Sequence, residues 1–142
     1  MDCKDYKLLN IYGQTKLLRV IKGSVFDVVV DLRYGSETYG KWYCIELTEE
    51  NKKQFLTPRD FAHGFLVLNN TTEFCYKCDG FYHANDETSL VWNDMEIGIQ
   101  WSKVEGTYKR TTCFEGDNED RVALNLSYKD QKWLGLEKTF RF

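Results

Sequence analysis

Seven short runs rich in Val, Ile, Leu, Phe, Tyr and Trp follow one another between residues 16 and 101, each closed by turn residues, and no apolar pattern of 3.6-residue period lasts long enough for an ordinary helix. The spacing predicts strands at 16–21, 25–32, 41–47, 53–56, 64–68, 73–77 and 97–101. Gly23, Tyr34-Gly35-Ser36, Glu49-Glu50-Asn51, Asn69-Asn70 and Asp79-Gly80 supply the breaks. Many short strands with turns at this spacing restrict the chain to a sandwich or barrel. Two short helices are predicted beside them. One covers 58–62, with Pro58 at a first helical position behind Thr57 as N-cap, and the other covers 127–133.

A chain of 142 residues, 42% apolar and 15% aromatic, holds enough material for one core and too little for two ordinary domains. A single domain over 1–142 is expected, with a divergent opening segment at 1–13 and an irregular polar loop at 102–121. One proline and ten glycines rule out a disordered or collagenous class. The formal charge of −3 is spread along the chain without the basic stripe that follows a phosphate backbone, so nucleic acid is not an expected partner. No apolar stretch reaches the ~20 residues of a membrane-spanning helix, and the charged MDCKDYK opening does not read as a secretory signal. A cytoplasmic protein is the expectation.

Five cysteines scattered through such a chain read as reduced thiols. Cys75 and Cys78 form a CxxC, but within the strand-like EFCYKC positions three apart point to opposite faces and cannot share a metal ion. The acidic cluster from Glu115 to Asp120 lacks the spaced ligands and closing glutamate of a calcium loop and reads as a solvated turn.

The informative anomaly lies in VFDVVVDL, residues 25–32. Val25, Asp27, Val29 and Asp31 share one strand face and Phe26, Val28, Val30 and Leu32 the other, so Asp27 interrupts an apolar run. A buried carboxylate requires a cation or hydrogen-bond donors opposite it. Lys16, at the head of the preceding strand, and His63, enclosed by Phe61, Ala62, Gly64 and Phe65, are the candidates. Together they point to a polar pocket inside an apolar barrel. Tyr82 and His83 follow the Asp79-Gly80 turn, where the mouth of a barrel would place them.

The segments KLLRVIKGSVFDVVVDLR, PRDFAHGFLVL, FYHANDE and WNDMEIGIQW, in that order, together with a weaker LSYKDQKWLGL near the end, resemble the dTDP-4-dehydrorhamnose 3,5-epimerase family. The resemblance implies an all-β, cupin-like (jelly-roll) antiparallel β-barrel with a short C-terminal helix, acting as a homodimer on a small-molecule nucleotide sugar. It implies an isomerase that inverts C3 and/or C5 of a dTDP-4-keto-6-deoxyhexose through an enolate. That chemistry needs a base, a cation or donor for the enolate oxygen and an acid on the opposite face. It requires no cofactor and no metal, and two histidines are too few for the usual metal-cupin ligand set.

By resemblance, Lys16 holds the enolate oxygen, Tyr82 is the acid, Asp130 of SYKD orients the catalytic histidine, and His63 and Asp27 line the pocket. The catalytic set is therefore Lys16, Tyr82, Asp130 and His63, and the substrate-binding set Asp27, Tyr6 and Lys77. Where the family carries an Arg-Gly-Leu-His stretch ahead of the lysine, Cys3-Lys4-Asp5-Tyr6 stands here, so that Tyr6 occupies the position of the base. The family's longer N-terminal segment is not matched. A non-catalytic cupin that binds a sugar nucleotide or a full-length partner, and a truncated epimerase, are the alternative readings.

Overall fold

The computed structural model describes residues 13–84, 90–91, 93–101, 132 and 135–136. Among them run six strands: β1 (Lys16–Lys22), β2 (Ser24–Asp31), β3 (Trp42–Thr48), β4 (Gln54–Thr57), β5 (Phe61–Val67) and β6 (Glu73–Cys78). They form two three-stranded antiparallel sheets, ordered β4-β1-β6 and β3-β2-β5. Only β2 and β3 are consecutive partners within a sheet; every other connection crosses from one sheet to the other. The loop at 102–121 and, apart from Lys132, the predicted helix at 127–133 lie outside the described residues.

Three of the connections have a local cause. Gly23 sits between β1 and β2 with φ +77°, and its N–H and C=O are both held by Glu49. A side chain there would meet the Thr71 carbonyl and the Thr72 hydroxyl at 2.6 Å, so glycine alone lets the chain turn this corner. The β3–β4 turn is closed by Asn51, whose side-chain oxygen accepts from Thr48 N and Lys53 N while its amide donates to Glu46 O. Between β2 and β3, Asp31 accepts from the Arg33 backbone and guanidinium and from the Ser36 and Thr38 hydroxyls, the hydroxyls at 2.6 Å. The hydrogen-bonded Arg33 guanidinium holds the Asp31 carboxyl well below the usual carboxylate range despite its burial. Arg33 in turn lies over the Phe61 ring, 4.8 Å from its centroid.

The alternation in β2 sends its two faces into two cores. Phe26, Val28 and Val30 pack with Leu90, Ile97, Ile99 and Trp101 on the outer side of their sheet. Val25 turns the other way and meets Leu18 and Val20 of β1 and Leu47 of β3 between the two sheets. Burial of side chains of this size contributes roughly 1.5–3 kcal/mol each, and this inter-sheet cluster holds the two sheets face to face.

Two sequence expectations are corrected. Residues 58–62 are not helical: Arg59 and Asp60 form a turn, Asp60 takes φ +67°, and Phe61 and Ala62 already pair with Asp31 and Val30. Thr57 is the last residue of β4 and caps nothing. Residues 97–101 are not a strand. Ile97, Ile99 and Trp101 are buried alternately, which is the pattern that mimics one, but Gly98 at φ +62° lies in a turn fastened by Asp94, which accepts from Glu96 N and Ile97 N. The packing is strand-like and the ladder is missing.

Candidate active site

Strand phase decides which side chains enter the space between the sheets. On β1 the buried Leu18 and Val20 mark the inner face, and Lys16 shares it. Lys16 is flanked by Thr57 of β4 on one side and Cys78 of β6 on the other. On β2 the inner face carries Val25, Asp27 and Val29, and β5 opposite presents His63 and Phe65. The inner face of β6 carries Phe74, Tyr76 and Cys78, and that of β3 Tyr43, Ile45 and Leu47.

Asp27 is completely buried, and its partner is His63: Nε2 lies 2.9 and 3.0 Å from the two carboxylate oxygens. A carboxylate only accepts, so His63 Nε2–H is the donor. This is the pairing that the interrupted apolar run demands, and it leaves Lys16 without an ion pair or hydrogen bond among the described residues. Around the polar pair stands an aromatic wall. Phe65 touches His63 and Phe74, with centroids at 6.1 and 4.8 Å, and Tyr43 meets Phe55 at 5.8 Å. Tyr43, Phe65 and Tyr76 remain about half exposed, so the wall lines an opening and not a sealed core.

The floor of the opening is anchored where β6 ends beside β1. Asp79 accepts from Thr15 N at 2.9 Å and from the Arg59 guanidinium at 3.0 Å, and Gln14 donates to Gly80 O at 2.7 Å. The Arg59 bond and that from Thr15 lower the Asp79 carboxyl below its ordinary range. Lys16 is thus fixed in register by its immediate neighbours in sequence.

The structure brings Lys16, Asp27 and His63 onto the facing inner surfaces. Tyr82 lies beyond the end of β6, exposed, past the Asp79-Gly80 turn. Lys77 pairs with Leu17 and therefore points from the opposite face of β6, away from the Lys16 side. Tyr6 and Asp130 lie outside the described residues. Tyr76 was not singled out from the sequence. It pairs with Leu18 and occupies the inner face of β6 next to Lys16's own neighbour Cys78, and the period-2 phase of EFCYKC relative to KLLRVIK is the signal that would have found it. The same phase places Cys75 opposite Arg19 and Cys78 opposite Lys16, on opposite faces. Among the described residues no three His, Cys, Asp or Glu side chains gather so as to hold a metal ion, and no helix is long and apolar enough to cross a membrane.

Residues 8–138 match the family described as dTDP-4-dehydrorhamnose 3,5-epimerase. The chain belongs to this family. It is 45% identical over 130 residues to the dTDP-4-dehydrorhamnose 3,5-epimerase of Escherichia coli, covering 92% of this chain and 61% of that one. The crystal structure of the dTDP-4-dehydrorhamnose 3,5-epimerase from Elizabethkingia anophelis superposes with a TM-score of 0.74 at 42% identity, over 91% of this chain and 62% of that chain. A dTDP-6-deoxy-D-glucose-3,5-epimerase from Legionella pneumophila, solved with dTDP-4-keto-L-rhamnose, matches with a TM-score of 0.62 at 47% identity, over 65% of this chain and 49% of that chain. The chain therefore spans about three-fifths or less of the length of these family members. The two antiparallel sheets are those of the family's cupin-like jelly roll, with Lys16 on the inner face of one and the Asp27–His63 pair on the inner face of the other.

Proposed function

We propose that this epimerase-family chain acts on a dTDP-4-keto-6-deoxyhexose and inverts C3, C5 or both by removing and returning a proton through an enolate. The observation that carries the reading is the placement of Lys16, a cation with no partner among the described residues, on one inner face, with the Asp27–His63 pair on the sheet opposite. The complex of the Legionella relative with dTDP-4-keto-L-rhamnose supports the same class of ligand.

In this reading the ammonium of Lys16 stabilises the charge that develops on the C4 oxygen when a neighbouring C–H is broken. His63 has Nε2 committed to Asp27, so any proton it accepts goes to Nδ1. By the family resemblance Tyr6 takes the position of the base, and Asp130 that of the aspartate which orients the family's catalytic histidine. A phenol on the far side of the sugar returns the proton, and two are available: Tyr82 at the mouth and Tyr76 on the Lys16 side of β6. The half-exposed aromatic wall of Tyr43 and Phe65 gives the sugar nucleotide an apolar surface to lie on. Asp27 belongs to the substrate-binding side through the histidine it holds.

The protein acts in the cytoplasm as a homodimer, the assembly that covers sheet edges in folds of this kind; analytical ultracentrifugation tests the dimer. The activity is tested by incubating the folded protein with the dTDP-4-keto-6-deoxy sugar and reading the C3 and C5 configurations from proton coupling constants, with calorimetry of dTDP-sugar binding in parallel. Inversion at either carbon is the expected result. Binding without inversion would replace the reading with that of a non-catalytic sugar-nucleotide cupin.

A further inference from the structure

We propose that the hydroxyl of Thr57 is a positioning group for the Lys16 ammonium, an inference that rests on the role given to Lys16 above. Thr57 is 1% exposed, and its enclosed Oγ1 has no hydrogen-bond partner among the described residues. Its Cα partner on the adjoining strand is Lys16, which is likewise without a hydrogen bond or ion pair among the described residues. Both side chains point to the inner face, as the burial of Leu18 beside one and the packing of Phe55 beside the other show. Directly paired residues on one sheet face hold their Cβ atoms about 5 Å apart, within reach of a lysine head group.

A buried hydroxyl without a partner is costly and uncommon. Among the described residues, an acceptor without a donor here stands next to a triple donor without an acceptor. Threonine offers two lone pairs, whereas the ammonium has three N–H groups and no acceptor. When one N–H of Lys16 is given to Thr57 Oγ1, the ammonium is fixed in direction and its other N–H groups stay available for an oxygen held between the sheets. Thr57 does not touch the reacting atoms in this scheme; it acts through Lys16. The titratable groups on the inner faces are Cys78 and Tyr76 beside Lys16 on its own sheet and, on the other sheet, Asp27 on β2, His63 on β5 and Tyr43 on β3, and Asp27 is already engaged by His63.

Thr57→Val removes the hydroxyl at nearly constant shape, and Thr57→Ser retains it. The expected result with the keto sugar is a fall in kcat of about tenfold for Thr57→Val, the size of one hydrogen bond to a charged group, with KM within about twofold and with Thr57→Ser restoring most of the loss. A second readout does not depend on turnover. In protein labelled with ¹⁵N-lysine, the Lys16 Nζ resonance, assigned by its loss in Lys16→Arg, is expected to move in Thr57→Val and to return towards its original position in Thr57→Ser. Wild-type kcat together with an unmoved Nζ resonance in Thr57→Val would overturn the inference. If the wild-type protein gives no turnover, the activity reading fails on its own and the Nζ resonance decides the role of Thr57.

Discussion

His63 Nε2 donates to both carboxylate oxygens of Asp27, at 2.9 and 3.0 Å, across two adjacent strands at a point where Asp27 is wholly buried. Breaking one half of such a pair costs more than the pair contributes, because the remaining group stays desolvated. His63→Ala, which strands the carboxylate, is expected to lower unfolding free energy by about 3 kcal/mol or more. Asp27→Asn leaves no buried charge and should cost less. A double-mutant cycle by urea denaturation is expected to return a coupling of at least about 1 kcal/mol; additive losses would mean that the two side chains are merely neighbours.

Two glycines with nearly the same φ separate backbone strain from steric collision. Gly23 (φ +77°) has the Thr71 carbonyl and the Thr72 hydroxyl 2.6 Å from the place of a Cβ, whereas Gly35 (φ +75°) has nothing within 4 Å. Gly35→Ala should therefore cost about 1–2 kcal/mol, the price of the left-handed conformation alone. Gly23→Ala should cost clearly more, since the backbone between β5 and β6 must move as well. Thermal and urea unfolding of the two variants side by side give the comparison, and equal losses would contradict it.

Asp31 governs the acid limb of stability. Its carboxyl is held below its ordinary value of 3.8 by Arg33, Ser36 and Thr38. A carboxyl that is more acidic in the folded than in the unfolded chain stabilises the fold fully above the unfolded value, and the contribution is lost as pH falls below it. Asp31→Asn is expected to cost about 2 kcal/mol at neutral pH, from loss of charged hydrogen bonds. The difference from the natural chain should shrink as pH is lowered from about 4 towards 2. Unfolding midpoints measured across that range check the sign; a gap that widened in acid would be the wrong one.

The elements that alternate and end in a turn were legible in the chain. All five breaks fall in turns or bends, and 16–21, 25–32, 41–47, 53–56 and 73–77 lie within a residue or so of β1, β2, β3, β4 and β6. β5 was half legible: Gly64 to Val67 read as a strand, but Phe61 and Ala62 follow Pro58 and passed for a helix start, because the pairing to Asp31 and Val30 that makes them a strand is remote in sequence. Ile97 and Ile99 alternate like a strand because one side packs on Phe26 and Val28, and nothing local shows the lack of a ladder. In the site, Asp27 announced a partner and His63 was among its two candidates. Tyr76 escaped notice and Thr57 was read only as a helix cap, because their place beside Lys16 depends on the register of β1 against β6 and β4.

The two tyrosines are separable by substitution. Tyr76 shares the inner face of sheet β4-β1-β6 with Lys16, and Tyr82 stands beyond the strand end. The strand phase favours Tyr76 as the proton-returning phenol, so Tyr76→Phe is expected to reduce kcat by about 10²-fold or more, the contribution of a positioned acid, with a smaller effect from Tyr82→Phe. Steady-state kinetics on the keto sugar, with near-ultraviolet circular dichroism as the check on folding, distinguishes them. The reverse ranking would move the acid to the mouth of the barrel.

Deuterium exchange tests proton transfer at the Lys16 pocket most directly. The protein and Lys16→Ala are each incubated with the dTDP-4-keto-6-deoxy sugar in D₂O, and the C3 and C5 proton signals are followed by NMR. The natural chain is expected to wash out the signal at one or both carbons, and Lys16→Ala, folded, to do so at least about 10²-fold more slowly, the scale of losing one preorganised charge at a developing oxyanion. Retention of both signals by the folded natural chain, or equal exchange by Lys16→Ala, would contradict the account.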